Sequence, residues 1–264
     1  MSQLQLDPQS AKALLAADAH GCVEEVSAIV ALLSLQSVFF NARLKQLKQI
    51  YEPFAVYEGD ALMMLNAYRR YGSRRRRKGA REAARWCHKR RLNQRVIQHA
   101  ERIQAQLCAQ LARWGIGISS CEEHPQLGGA VGVDGVCRAL TAGFFANAAQ
   151  RVSANGAEGH YLSVYRQAPL VLNPNSILYQ TPAEWIVFHG TLLGSSDATT
   201  EYIMSATKVE IEWLVEVAPH FYRLKGGHET RGGESSSAPQ LESAKPCSLE
   251  KSGVKRADGF TFLY

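Results

Sequence analysis

The strongest constraint on the fold is a row of apolar residues that recurs every three or four positions between residues 92 and 111. Polar residues, among them Arg95 and Gln98, occupy the remaining positions. This spacing matches the period of an α-helix, so it predicts one long amphipathic helix with a buried face. The members of the row are Leu92, Val96, Ala100, Ile103, Leu107 and Leu111.

Helical patterns also occupy most of the chain before residue 150. Asp7-Pro8 is a typical helix start, because the carboxylate can accept from open backbone amides and proline suits the first helical position. Three further helices are predicted, the first around Val26, Ile29, Val30 and Leu33, the second from Asp60 to Tyr68 and the third from Val136 to Gln150. Gly128 to Gly135 follows no strand and contains no GxGxxG motif, so it is predicted to be a connecting loop.

The pattern changes to short β-rich runs after His160, separated by turn formers such as Asn173-Pro174-Asn175. The predicted strands are Tyr161 to Arg166, Leu170 to Leu172 and Trp185 to Thr191. A last short helix, from Glu210 to Glu216, is predicted to stop at Pro219. Residues beyond 224 are rich in Gly, Ser, Glu and Lys, so we expect this tail to be disordered.

The charge of the chain is concentrated in one block. The segment from Arg69 to Arg91 contains twelve Lys or Arg residues and one acid, Glu82, so its net charge is +11. Because the net charge of the whole chain is +6, the remaining residues carry a net charge of −5. Such a block favours binding to polyanions, since each neutralised phosphate releases counterions. A solvated loop or a nuclear-import signal explains a bare arginine run about equally well.

Motifs for nucleotide hydrolysis are absent from the sequence. It contains no GxxxxGK[ST] phosphate loop, no DEAH box, and no GxSxG or HExxH motif, so we expect no catalytic residue. Cys121 and His124 have the spacing of half a zinc site, but no second pair stands at a suitable offset, so we expect no metal. The six cysteines form no CxxC pair, which is typical of free thiols in an intracellular protein. No run reaches the ~18 apolar residues of a membrane-spanning helix.

Several segments, taken in order, resemble the C-terminal region of DEAH-box RNA helicases, and the match runs from residue 6 to residue 223. The helical part carries Leu6-Asp7-Pro8, Gly21-Cys22, Gly59-Asp60, Leu65-Asn66-Ala67-Tyr68, Trp86-Cys87 and Thr141-Ala142-Gly143-Phe144-Phe145. The β-rich part carries Pro174, Glu184-Trp185-Ile186-Val187-Phe188, Glu201-Tyr202-Ile203, Trp213-Leu214 and Ala218-Pro219-His220-Phe221-Tyr222. The chain looks most similar to the spliceosome-associated branch of that family.

The resemblance implies a mainly α ratchet-like helical bundle followed by a small β-barrel, the OB-fold, and a disordered tail. The helicase-associated domain would span residues 6–150 with a basic insertion at 73–85, the OB-fold residues 158–223, and the tail residues 225–264. Three positions depart from the family pattern: Ala61 stands in place of a His, Gly190 in place of a Glu, and Met204 in place of an Arg or Gln.

In function, the resemblance implies the RNA-binding and partner-docking portion of an ATP-dependent helicase of the pre-mRNA splicing type. ATP and magnesium would belong to motor domains absent from this chain, so we expect no enzymatic activity from it alone. The expected partners are single-stranded RNA, a G-patch protein on the OB-fold and those motor domains. The expected location of the protein is the nucleus, or alternatively the cytoplasm. The predicted RNA-binding residues are Arg91, Asn93, Arg95, Arg166, Tyr202 and Lys208. The alternative is a free-standing protein-interaction adaptor that keeps both modules.

Overall fold

The computed structural model describes residues 6–35, 37–40, 44–121, 130–152, 159–194, 200–224 and 241–243. Eight helices lie in these ranges: α1 Pro8–Ala19, α2 Val23–Leu33, α3 Leu44–Tyr51, α4 Asp60–Lys78, α5 Ala80–Lys89, α6 Gln94–Arg113, α7 Ala130–Phe144 and α8 Ile211–Val217. The strands are β1 Ala148–Arg151, β2 His160–Ser163, β3 Pro169–Leu172, β4 Trp185–Leu193, β5 Glu201–Lys208, β6 Tyr222–Leu224 and β7 Leu241–Ser243. Two short 3₁₀ turns cover Phe145–Asn147 and Ile177–Tyr179.

The two best-marked helices begin as the sequence predicts. The Asp7 carboxylate accepts a hydrogen bond from the Ser10 amide at 2.9 Å, and Pro8 occupies the first turn of α1. The apolar row of residues 92–111 predicts α6, in which Ile97, Ala100, Leu107 and Leu111 are buried. The long amphipathic helix is therefore confirmed.

Strands β1 to β5 close into a barrel in the order β1-β2-β3-β5-β4, with β1 paired to β4. All pairs are antiparallel except β3 with β5, which run parallel. Five short strands in a closed barrel are typical of the OB-fold, so the prediction of a helical part followed by a small barrel is confirmed.

Bundle and barrel share their hydrophobic cores. One cluster joins Leu14 of α1 and Leu140 of α7 to Val187 of the barrel, and a second joins Ala67 of α4 and Ile97 of α6 to Ile203 of β5. Because apolar side chains of both parts fill the same interior, the bundle and the barrel pack as one body.

The structure corrects several predicted boundaries. The helix predicted from Val136 to Gln150 ends at Phe144, and the chain enters the barrel as β1 at Ala148, ahead of the predicted start at residue 158. The segment Ala148–Arg151 pairs with both β2 and β4, so strand pairing decides its conformation. Residues 130–135 of the predicted glycine-rich loop form the first turns of α7, and residues 122–129 lie outside the described ranges.

The basic block is helical, which excludes the solvated-loop explanation. Helix α4 continues to Lys78, and α5 begins at Ala80 after the single residue Gly79, whose φ of +83° suits glycine. Most of the predicted disordered tail, residues 225–240 and 244–264, lies outside the described ranges. Leu241–Ser243 is extended instead, since it pairs with β6 as β7.

Candidate nucleic-acid interface

The start of α6 is held by backbone pairing with an earlier segment. The Asn93 amide donates to the Val38 carbonyl at 2.8 Å, and the Phe40 amide donates to the Arg91 carbonyl at 3.0 Å. The Asn93 side chain also caps α6, accepting from the Val96 amide at 3.4 Å. This pairing fixes the aromatic ring of Phe40, which is 53% exposed, beside the first turn of the helix.

A shallow depression of about 370 Å³ lies at this position. Its lining includes Phe40, His88, Asn93, Gln94 and Arg95. The first turn of α6 contains no acidic residue, so the partial positive charge of the helix N-terminus is not neutralised there. An exposed ring that can stack on a base, amides that can hydrogen-bond and a guanidinium that can pair with phosphate are what a single-stranded nucleic-acid site requires.

The structure therefore brings together three of the six predicted RNA-binding residues. Asn93 and Arg95 line the depression. Arg91 is exposed one turn before α6 and has a φ of +54°, an uncommon value for a residue with a side chain, while its carbonyl holds Phe40 in place. Which of these residues contact RNA stays a prediction.

Arg166, Tyr202 and Lys208 lie on the barrel, where Arg166 and Tyr202 are close to the start of β5 and Lys208 stands at its end. Arg166 forms a two-pronged ion pair with Glu201, at 2.8 Å and 3.4 Å, and this bond lowers the pKa of the Glu201 carboxyl. Tyr202 is the next residue of β5, whereas Lys208 ends the same strand, roughly 20 Å further on at about 3.3 Å per residue. One nucleotide cannot contact all three residues.

Lys208 lies where the bundle joins the barrel, since its amide donates to the Glu58 carbonyl at 2.7 Å, and its side chain pairs with Glu210 at 3.7 Å. Asp60 forms the centre of the same junction. Asp60 is buried, and its carboxylate accepts from the Ser176 hydroxyl at 2.8 Å, the Ile177 amide at 2.8 Å and the Ala206 amide at 3.0 Å. All three donors belong to the barrel, whereas Asp60 begins α4 of the bundle. Burial raises the pKa of Asp60 to about 6, although the three hydrogen bonds act in the opposite direction.

Gly59 allows this contact to form. A Cβ atom at this position would lie 2.5 Å from the Ala206 carbonyl oxygen and 2.7 Å from Thr207 Cα, both of which are backbone atoms. The φ of Gly59 is +144°, and its backbone bridges to Thr207 of β5. Only a residue without a side chain lets α4 approach the barrel this closely.

Sequence reasoning missed Phe40 and Asp60 as candidate functional residues. The signal for Phe40 is the pair Phe39-Phe40: successive side chains of an extended segment point in opposite directions, and Phe39 is buried. Asp60 belonged to a family segment but carried no predicted role.

Within the described ranges, no group of three His, Cys, Asp or Glu side chains is placed to hold a metal ion, and no helix is long and apolar enough to cross a membrane.

Two protein-family models match the chain. The ratchet-like helicase associated domain (HA2) matches residues 7–94, and the oligonucleotide/oligosaccharide-binding (OB)-fold matches residues 136–222. These matches cover the bundle and the barrel in the order in which the structure places them.

Named relatives carry the same region. The chain is 30% identical over 231 residues to the pre-mRNA-splicing factor ATP-dependent RNA helicase prp22 of Schizosaccharomyces pombe. This match covers 87% of this chain and 18% of the relative. It is 31% identical over 232 residues to the probable ATP-dependent RNA helicase DHX35 of Homo sapiens, covering 86% of this chain and 30% of the relative. It is 30% identical over 235 residues to the pre-mRNA-splicing factor ATP-dependent RNA helicase DEAH10 of Arabidopsis thaliana, and this match covers 84% of this chain and 30% of the relative.

A ratchet-like bundle joined to an OB-fold defines a helicase-associated region. The chain belongs to the DEAH-box RNA helicase family and corresponds to its C-terminal region. It spans between 18% and 30% of the length of these relatives.

Proposed function

We propose that this chain binds single-stranded RNA as the C-terminal, RNA-handling portion of a DEAH-box helicase. The observation that carries the proposal is the depression at the start of α6, where the exposed ring of Phe40 stands beside Asn93, Gln94 and Arg95. Stacking and backbone contacts of this kind grip a strand without strong preference for its sequence.

The bundle and the barrel act in this proposal as a rigid surface. The Asp60 contacts and the shared cores fix the two parts relative to each other, so RNA held at α6 keeps its orientation toward the barrel. Arg166 and Tyr202 form a second contact region on the barrel, where the Arg166 charge is partly compensated by Glu201. The Gly190 and Met204 positions, where the family pattern has polar residues, make the barrel the weaker of the two regions.

ATP-driven movement would require motor domains that this chain does not contain. The sequence contains no GxxxxGK[ST] loop and no DEAH box, so we place ATP and magnesium in the motor domains of a longer helicase. We therefore assign this chain a holding role, and any work on RNA to its combination with a motor.

The cellular role that we propose is pre-mRNA splicing in the nucleus. Two of the relatives are named as pre-mRNA-splicing factors, whereas DHX35 is named only as a probable helicase. We also propose that the barrel docks a G-patch protein, because Leu192 and Leu193 near the end of β4 are 49% and 66% exposed and offer an apolar contact.

Binding of a labelled single-stranded RNA, followed by fluorescence anisotropy, tests the proposal. Phe40→Ala and Arg95→Ala each remove one contact, and we expect affinity to fall about five- to a hundredfold, the range given by ~1 to 3 kcal/mol per stacked base. Tyr57→Ala is the matched control, since Tyr57 is 61% exposed and does not line the depression. Equal affinity for all four proteins would contradict the assignment of the site.

A further inference from the structure

A second group of basic residues lies on α4, on the side away from its acidic neighbours. Arg69 pairs with Glu25 of α2, and Arg75 pairs with Glu101 of α6, both at 2.5 Å. Arg70, Arg77 and Lys78 have no carboxylate within ion-pair distance among the described residues, and Arg74 has only the longer 3.5 Å contact with Glu82. Arg70, Arg77 and Lys78 therefore share one face of the helix, whereas Arg76 lies on the side of Arg75.

This face forms one wall of a pocket of about 230 Å³, lined by Arg70, Ser73, Arg74, Arg77, Lys78 and Trp86. The five α4 residues have the spacing i, i+3, i+4, i+7, i+8, which places them on one side of the helix. Trp86 comes from α5 across the Gly79 turn, and its ring packs edge-on against Phe54 at 5.8 Å, so the wall opposite the cations is held in place.

The buried Nε atom of Arg74 has no hydrogen-bond partner among the residues that the structure describes. The Arg74 guanidinium lies over the Trp86 ring at 5.7 Å. Four like charges converge on this pocket, which is unfavourable until an anion is bound. Guanidinium groups match the oxygens of a phosphate, and an ordered indole ring is a surface for base or sugar contacts.

Exposed cations of α5 lie between this pocket and the depression at α6, and Glu82, the acid that contacts Arg74, lies on the same flank. On α5, Ala84, Cys87 and His88 face that depression, and Trp86 faces the pocket. At 100° per residue, Arg81, Arg85 and Lys89 lie on the flank between these two sides, and all three are exposed. A strand that leaves the depression can therefore cross α5 along these cations.

We propose that the pocket between α4 and α5 is a second phosphate-binding site, which holds the backbone of single-stranded RNA after it crosses α5. The inference rests on the proposed function, since it extends the path of the same strand. Ser73, Arg74, Arg77 and Lys78 belong to the insertion at 73–85 relative to the family pattern, so these four residues give this chain a contact of its own.

The test combines a charge-removing variant with a signal from the pocket. Arg77→Gln/Lys78→Gln removes two cations that have no ion pair among the described residues, and Arg102→Gln/Arg113→Gln removes two exposed cations of α6 as the matched control. Incorporation of 5-fluorotryptophan, with the Trp86 resonance assigned from the Trp86→Phe spectrum, gives a fluorine NMR signal at the pocket itself.

We expect titration with single-stranded RNA to shift the Trp86 resonance in the unmodified protein and in the α6 control. In the pocket variant the shift should be lost, and the slope of log affinity against log salt should become shallower by about 1.4, at about 0.7 per phosphate contact in a single strand. Far-UV circular dichroism confirms that each variant keeps its helices.

Three results would overturn the inference. RNA binding that depends on Phe40 but leaves Trp86 and the salt slope unchanged would refute this pocket and leave the proposed function standing. Failure of the unmodified protein to bind RNA would refute both. A Trp86 shift produced equally by poly-glutamate would show a site for acidic peptides instead of phosphates.

Discussion

Replacing Asp60 with alanine tests how the bundle is joined to the barrel. The substitution removes the acceptor for the Ser176 hydroxyl and for the Ile177 and Ala206 amides, which are all buried. A hydrogen bond to a charged group is worth about 1.5 to 3 kcal/mol, and a buried donor left without a partner costs about 1 to 3 kcal/mol. Relief of the buried charge offsets part of this loss.

We therefore expect Asp60→Ala to lower the free energy of unfolding by about 2 to 5 kcal/mol. At about 2 to 4 °C per kcal/mol for a chain of this size, the melting temperature should fall by roughly 4 to 20 °C. Urea unfolding followed by tryptophan fluorescence and by circular dichroism measures the effect, and the two probes should separate if the barrel loosens before the bundle.

Asp18→Ala is the matched control, since Asp18 is an exposed aspartate of α1. It should change the free energy of unfolding by less than about 0.5 kcal/mol. If Asp60→Ala destabilised the protein no more than Asp18→Ala, the three hydrogen bonds would not be what holds bundle and barrel together.

The pKa of Asp60 is raised to about 6 in the folded protein, so the contribution of this carboxyl to the free energy of unfolding is largest below its unfolded pKa of 3.8 and is lost as pH rises through 6. The free energy of unfolding of the unmodified protein, relative to that of Asp60→Asn, should therefore fall between pH 4 and 7. A difference that stays constant over this range would contradict the raised pKa. Gly59→Ala should lower the melting temperature more than Gly79→Ala does. Both glycines have a positive φ, but of the two only Gly59 would place a Cβ within 3 Å of backbone atoms. Equal losses of melting temperature would refute the importance of this close contact. Glu25→Gln should cost about 1.5 to 3 kcal/mol, because it removes the charge from the buried acceptor of Arg69 and of the Ser120 hydroxyl. The exposed Glu24→Gln should cost less than about 0.5 kcal/mol, and similar losses for the two variants in urea unfolding would exclude a structural role for the Glu25 pair.

Long elements with a strong local pattern could be predicted from the sequence. The apolar row of α6 and the Asp7-Pro8 cap of α1 are signals carried by neighbouring residues, so the structure reproduces them. Strand β1 could not be predicted in this way, because Ala148–Arg151 has weak β preference and is extended only through its pairs with β2 and β4.

The candidate site could be predicted only in part, because some of its residues carry a local signal and others are brought together by contacts between distant parts of the chain. Asn93 and Arg95 stand at a helix start that the sequence marks clearly, but Phe40 reaches them through backbone pairing across about fifty residues. The Asp60 junction depends on donors more than a hundred residues away in the chain, and no local pattern records such a contact. The helix dipole also favours a carboxylate at the first position of a helix, so Asp60 in the sequence gives no sign of a tertiary contact.

Photo-crosslinking of single-stranded RNA that contains 4-thiouridine, followed by mass spectrometry of the full chain, locates the bound strand on the protein. We expect crosslinks to the peptides that carry Phe40 and residues 84–95, and a loss of those crosslinks in Phe40→Ala. Crosslinks confined to the tail after residue 224, or spread over the surface and unaffected by Phe40→Ala, would contradict an RNA-binding site at the start of α6.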